Sequence, residues 1–398
     1  MPARMITVDA DSFLVVVSVA AVAALLAGMI QPYLALPVVV IELLLGIVVG
    51  PEVFDLAAPD EFISFFANLG LGMLFFFAGY EIEFDRIKGV PLKLAVAGWL
   101  FSLVLAYSIG GLLAWAGVIL SLLYVGSAMA TTAIGTLIPI LHDAGEIKTR
   151  FGTFLLAAGA MGEFGPILLI TLAFSTKGAL FSTLLLLAFV ALAIAVALLA
   201  IRGAGWGWPL LERSLETSGQ FAIRMAVVMV FALAAVANEL GLDLLLGGFV
   251  AGIIVRQALK GREVAMFESK LIAVGYGFFI PFFFVTSGLR FDLSAFSDSS
   301  TLLKLPLFVA LFLVIRGLPA LILYRQTLDG RDRIALAIFS STQLPLVVAI
   351  TTIAVEQGHM LSSTAAALVG AAIISTATFP LIGLKLREGR AGVEPQPV

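Results

Sequence analysis

Cysteine is absent from this 398-residue chain, and histidine occurs only twice. The first absence excludes disulfides, iron–sulfur clusters and thiol chemistry. His142 and His359 fall in predicted loops far apart in sequence, so a histidine metal site and a bound cofactor are not expected. Charge is scarce too, at 12% of residues with a net of −3. No basic tract or aromatic-basic groove is present, and nucleic acid is not expected as a partner. Apolar residues take up what remains, with 61% hydrophobic and a mean hydropathy of +1.12. Repeated stretches near 20 apolar residues mark an all-α polytopic membrane protein with the lipid bilayer as its surroundings.

Hydropathy and helix breakers predict about thirteen spans, near 12–30, 36–50, 62–80, 93–116, 120–141, 152–175, 179–201, 221–239, 243–257, 270–288, 302–324, 333–355 and 362–384. The N-terminal apolar stretch is read as the first span, because no small-x-small cleavage site follows a short core. The longest candidate linker, 202–220, carries Gly203, Gly205, Gly207 and Pro209 and divides the chain into halves. It is not a phosphate loop, since no strand precedes it and no GKS/T follows. With the N-terminus outside, seventeen Lys and Arg fall in inside loops and the C-terminal tail, against Arg4, Lys177, Arg290 and Lys304 outside. That bias predicts a multi-pass inner (plasma) membrane protein with a cytoplasmic C-terminus.

An internal repeat is visible. Glu42-Leu43-Leu44-Leu45-Gly46 recurs as Asp243-Leu244-Leu245-Leu246-Gly247. Phe75-Phe76-Phe77 with Phe84-Asp85 recurs as Phe282-Phe283-Phe284 with Phe291-Asp292 at the same spacing. The copies, near 36–175 and 243–384, fall on opposite sides by charge, which predicts two inverted five-helix repeats. Inverted repeats are the architecture of secondary transporters, with the site near the midplane. The Phe runs are expected at lipid or subunit contacts, and Gly46-xxx-Gly50 and Gly248-xxx-Gly252 as packing surfaces.

Two spans at matching positions are interrupted. One reads Ser127-Ala128-Met129-Ala130-Thr131-Thr132-Ala133-Ile134-Gly135 with Pro139 beyond, the other Ser340-Ser341-Thr342-Gln343-Leu344-Pro345. Hydroxyl clusters, Gly and Pro at mid-depth weaken the helix ladder, and unwound backbone is tolerated there only beside protein or a polar cavity. Broken helices in corresponding halves point to an ion site. Between them in sequence lies Gly159-Ala160-Met161-Gly162-Glu163-Phe164-Gly165-Pro166, at the centre of an apolar run. A carboxylate there costs about 3 kcal/mol or more to insert, so a function is expected. Proton and cation would compete for Glu163. Arg316, in Leu313-Val314-Ile315-Arg316-Gly317, is the one base at depth and its expected charge partner. It can offset charge, but it keeps its proton. For Glu42, a second acid inside a span, a helix–helix hydrogen bond is expected, with a place on the ion pathway as the alternative.

These residues together resemble the monovalent cation:proton antiporter-2 family over nearly the whole chain. The resemblance rests on Pro37 through Gly46 with Gly50-Pro51, on Gly79-Tyr80-Glu81-Ile82 and on Thr131-Thr132-Ala133-Ile134. Gly247 through Gly252 and Phe282 through Gly288 extend it. It implies a homodimer with scaffold helices at 1–92 and 221–300 and core helices at 93–176 and 301–386. A linker helix and loop at 177–220 and a short tail at 387–398 complete the division. The two broken helices cross in the core, with Glu163 in the place of the family's ion-binding Asp and Arg316 in that of its basic residue. The chain departs from the family at Gly162, where an Asp, Asn or Gln is usual, at Glu163 itself, and at Thr342-Gln343-Leu344-Pro345, which lacks the family's acid. No C-terminal nucleotide-binding domain is expected.

The expectation is exchange of Na⁺ or K⁺ for H⁺ by alternating access, one for one, with Glu163 as shared carrier. Thr131, Thr132, Ala130, Gly162, Ser341, Thr342 and Gln343 would line the cavity. A transporter of an organic solute on the same scaffold, and a channel or sensor, are the alternatives. An enzyme is not expected, because no nucleophile–base pair appears at depth.

Overall fold

A backbone in lipid must satisfy its own hydrogen bonds, and among the described residues it does so with helices alone. The computed structural model describes residues 9–30, 36–82, 87–173, 179–240, 244–260 and 264–388. Phe84, Asp85 and Asp243 of the repeat, Arg4, Arg86, Lys177, Arg262 and Arg390 of the charge pattern, and the side chains of Pro139 and His142 lie outside these. Nine of the described helices are long and apolar enough to cross a membrane, and four shorter apolar helices accompany them. By contact the chain divides into two units, each described by itself.

One unit comprises 60–83 and 167–283. It holds α3 (Glu61–Tyr80), α8 (Ala179–Leu215), α9 (Phe221–Glu239), α10 (Leu244–Ala258) and α11 (Ala265–Val274), with a π-turn at Gly275–Phe279. α3 crosses α10 at backbone contact, as the Gly248-xxx-Gly252 spacing predicts. A Cβ on Gly248 would stand 2.6 Å from the Gly72 carbonyl oxygen, and one on Gly252 2.6 Å from Tyr80 N. The Phe run is not a lipid surface. Phe75, Phe76 and Phe77 are buried, with Phe76 stacked on Tyr80 and Phe77 tilted against Tyr276. α3 is enclosed by its neighbours over its second half, so its apolar residues there fill core. The stretch 202–215, expected as linker loop, continues α8 as helix. Glycine costs only about 1 kcal/mol per helical position, which context overrides.

The other unit comprises 9–59, 84–166 and 284–398. α1 (Ala10–Ile30) and α2 (Val38–Val49) fall in it, as do α4 (Val90–Trp115), α5 (Leu122–Met129), α6 (Ile134–Asp143) and α7 (Arg150–Ala173) up to Pro166. From Phe284 onward it holds the rest of α12 (Ile280–Leu289), then α13 (Ser299–Phe312), a π-turn at Leu313–Gly317 and α14 (Leu318–Leu323). α15 (Gly330–Ser340), α16 (Pro345–Glu356) and α17 (Ser362–Arg387) complete it. Helices 1–3 read together in sequence, but by contact α1 and α2 group with the interrupted helices. Exposed Leu14, Leu25, Val104 and Leu112 on α1 and α4 form the apolar exterior a bilayer requires.

Both interruptions are present. α5 stops at Met129 and α6 starts at Ile134; α15 stops at Ser340 and α16 starts at Pro345, a residue pre-set for the first helical turn. The half-helices α6 and α15 share one apolar core with α7 and the α14 end, including Leu137, Leu141, Phe154, Leu336 and Phe339. At the other end Tyr124 of α5 donates to Gln357 and stacks on His359. Beneath the α6–α15 core lies a buried ion cluster. Arg387 at the end of α17 grips Glu146 through Nε at 3.1 Å and Nη2 at 2.9 Å, and donates from Nη1 to Asp332 at 2.6 Å. Its guanidinium sits 4.5 Å over the Phe151 ring.

Candidate functional site

The two interruptions meet. Ala133 N–H donates to the Thr342 carbonyl at 2.8 Å, so backbone freed from one helix is taken up by the other. Gln343 bridges the same gap with its side chain. Its Oε1 accepts from Thr131 Oγ1 at 3.1 Å and its Nε2 donates to the Met129 carbonyl at 3.1 Å. Thr132 Oγ1 donates to the Ser340 carbonyl at 2.6 Å. Ser375 and Thr376 of α17 hold the Gln343 carbonyl at 3.1 and 3.0 Å. Ala130, Thr131, Thr132, Ser341, Thr342 and Gln343 are all buried. The Thr342 hydroxyl has no hydrogen-bond partner and is a candidate ligand for a cation.

α7 carries the acid into this crossing, and Pro166 sets the register. A proline lacks the N–H that would bond the carbonyl four residues earlier. That carbonyl belongs to Gly162, and it accepts instead from Thr132 N–H at 3.1 Å. The helix defect therefore docks the crossing beside Glu163. Glu163 is 4% exposed, and its Oε1 accepts from Gly135 N–H at 3.3 Å. Gly135 lies in the first turn of α6, where unpaired N–H groups and the helix dipole favour negative charge. The acid thus stands at the open end of a half-helix.

Arg316 reaches the same place from the π-turn of the 299–326 span. Pro319, which cannot donate to residue 315, follows that turn. Its guanidinium donates from Nε to Thr132 Oγ1 at 2.9 Å, from Nη1 to Ser102 Oγ at 3.1 Å and from Nη2 to the Ala158 carbonyl at 3.1 Å. All three acceptors are neutral, so Arg316 lies beside Glu163 without a direct bond between the two charges. Gly162 makes room for it. A Cβ there would stand 2.6 Å from Thr132 Oγ1 and 2.8 Å from Arg316 Nη2. The space a side chain at 162 would take is filled by the guanidinium and the Thr132 hydroxyl.

The structure thus brings together Glu163, Gly162, Thr131, Thr132, Ala130, Arg316, Ser341, Thr342 and Gln343. Glu42 differs from its expectation. It is 2% exposed on α2 and makes no helix–helix hydrogen bond, and its Oε2 has no partner. Sequence reasoning missed Ser102 and the Ala158 carbonyl, Arg316's anchors. A lone Ser within Phe101-Ser102-Leu103 gives only a weak signal. Among the described residues no group of three or more His, Cys, Asp or Glu is placed to hold a metal ion.

Two interrupted helices crossing beside a buried acid define a membrane transporter fold of the broken-helix class. The chain belongs to the sodium/hydrogen exchanger family, whose transmembrane-region model matches residues 17–383. It is 26% identical over 379 residues to the putative Na⁺/H⁺ antiporter YjbQ of Bacillus subtilis, covering 89% of this chain and 59% of that protein. It therefore spans less than two thirds of that relative's length. With the Na⁺/H⁺-K⁺ antiporter GerN of Bacillus cereus it shares 27% identity over 276 residues, 67% of this chain and 68% of GerN. The solved structure of the sodium proton antiporter MjNhaP1 from Methanocaldococcus jannaschii superposes with a TM-score of 0.63 at 15% identity, over 94% of this chain and 95% of that one. That likeness confirms the fold.

Proposed function

We propose that the protein exchanges a monovalent cation, Na⁺ or K⁺, for H⁺ across the cell membrane, one for one, with Glu163 as the shared carrier. The observation that carries this reading is the position of Glu163, buried at the N-terminal end of the half-helix α6 where the two breaks cross. A cation there would draw on Glu163, the Thr131, Thr132 and Thr342 hydroxyls and nearby carbonyls, a hard-oxygen set suited to Na⁺ or K⁺. Arg316 keeps its charge throughout and cannot carry a second proton, which supports a single exchangeable charge per cycle. Family membership and the names of the relatives support cation/H⁺ exchange. The broken-helix unit moves as one body in this reading, fastened at the crossing and at the Arg387 cluster. A homodimer in the plasma membrane, with the C-terminus cytoplasmic, completes the proposal.

Proteoliposomes with an internal pH dye and an imposed proton gradient test it. Na⁺, K⁺ and Li⁺ are added in turn, and valinomycin with K⁺ sets the voltage in the Na⁺ and Li⁺ runs. The expected result is proton movement evoked by at least one cation and indifferent to voltage. A response to none of the three would overturn the exchange reading. A response steepened by voltage would overturn the one-for-one count.

A further inference from the structure

Arg316 has a second face. Beside its guanidinium is a small cavity. Trp99 of α4, Ala158 of α7, Tyr324 beyond α14 and Ser340 of α15 line it together with Arg316. Three of these carry buried polar atoms with no hydrogen-bond partner: Trp99 Nε1, Tyr324 Oη and Ser340 Oγ. The residues are 9%, 2% and 2% exposed. Leaving such a group unsatisfied costs about 1–3 kcal/mol, and here three of them line one cavity from three separate stretches of chain. Trp99 Nε1 can only donate. Arg316 has five N–H donors, of which three are engaged by the bonds already described.

The charge points the same way. Arg316 is 4% exposed and hydrogen-bonds only neutral oxygens, whereas buried charges are normally paired. Glu163 offers a counter-charge across Gly162 only while it holds neither proton nor cation. Once loaded, it leaves Arg316 uncompensated. A halide is a small sphere that accepts hydrogen bonds and donates none, so every free donor in the wall can meet it. A water can use the Tyr324 and Ser340 hydroxyls as acceptors, but it brings no charge to offset that of Arg316.

We propose that this cavity binds one monovalent halide, such as chloride, as the counter-ion of Arg316. The site goes beyond the cation exchange proposed above and does not use Glu163 as a ligand. The test is the thermal unfolding midpoint of purified protein in detergent at constant Na⁺, with chloride, bromide or gluconate as the anion. Chloride and bromide should raise the midpoint saturably over gluconate in the wild type. In Trp99→Phe and in Ser340→Ala, the halide Kd read from that curve should weaken about ten-fold or more. Ser340→Ala removes a single hydroxyl and keeps the comparison available should Trp99→Phe fail to fold. Equal midpoints in all three anions, or a halide shift unchanged in both variants, would overturn the site and leave a water in the cavity. The need for a counter-ion rests in part on the reading of Glu163 as carrier, but because the readout is binding, failure here leaves the exchange reading untouched.

Discussion

In proteoliposomes the Glu163→Gln variant should fall to the background of empty vesicles, with no proton movement evoked by Na⁺, K⁺ or Li⁺. The substitution keeps the length of the side chain, and the amide oxygen can still accept from Gly135 N–H, which the carboxylate holds at 3.3 Å. The crossing should stay assembled, since its bonds run through Thr132, Ala133, Thr342 and Gln343 and not through the carboxylate. What disappears is the group that can lose a proton and hold a cation. An unchanged unfolding midpoint beside a lost response separates this from misfolding. Glu163→Asp retains a titrating acid but draws it back by one methylene from Gly135 and the crossing. It should keep exchange with weaker apparent cation affinity. A Gln variant that still exchanges at a tenth of the wild-type rate or more would remove Glu163 as carrier.

The second large effect is on stability. Arg387→Met should lower the unfolding midpoint sharply and reduce the yield of folded protein. Arg387, Glu146 and Asp332 are each at most 4% exposed, and the guanidinium engages both acids. Removing one partner of a buried pair leaves buried carboxylates without their guanidinium and costs about 3–5 kcal/mol. Met roughly keeps the packing over Phe151, so the loss reports the charge. Arg387→Lys keeps a charge but cannot form the two-pronged bond to Glu146, and its midpoint should lie between the two. Midpoints equal across the three proteins would mean the cluster contributes nothing.

The features legible in the sequence were local anomalies. A Glu and an Arg inside apolar runs, and hydroxyls with Gly and Pro at mid-span, stand out against a composition that is otherwise uniform. Those cues located Glu163, Arg316 and both interruptions. Partner choice was not legible, because it depends on which distant helices meet. Arg316 is anchored by Thr132, Ser102 and the Ala158 carbonyl and not by Glu163, and a single Ser or a backbone oxygen leaves no mark in a sequence. Pro166 stands in the Glu163 segment of the sequence, yet its effect, freeing the Gly162 carbonyl for Thr132, needs the crossing to be known. Arg387 counts in the sequence only as one of the seventeen inside basic residues, and only its burial against Glu146 and Asp332 shows a cluster. The Phe75–Phe77 run misled for a related reason. Composition cannot distinguish lipid from neighbouring helices as the solvent of an apolar side chain, and here α3 is enclosed by protein. The 202–215 stretch misled because a glycine costs a helix only about 1 kcal/mol per position, and the helix runs on to Leu215.

Competition between proton and cation for one carboxylate is the central claim, and it can be measured without any transport. Purified protein in weakly buffered detergent solution, set at a pH where Glu163 is protonated, is titrated with NaCl or KCl while the pH is followed and bound cation is measured in parallel. The account predicts the release of about one proton for each cation bound, and neither binding nor release in Glu163→Gln. Cation binding without proton release, or release that persists in Glu163→Gln, would contradict it.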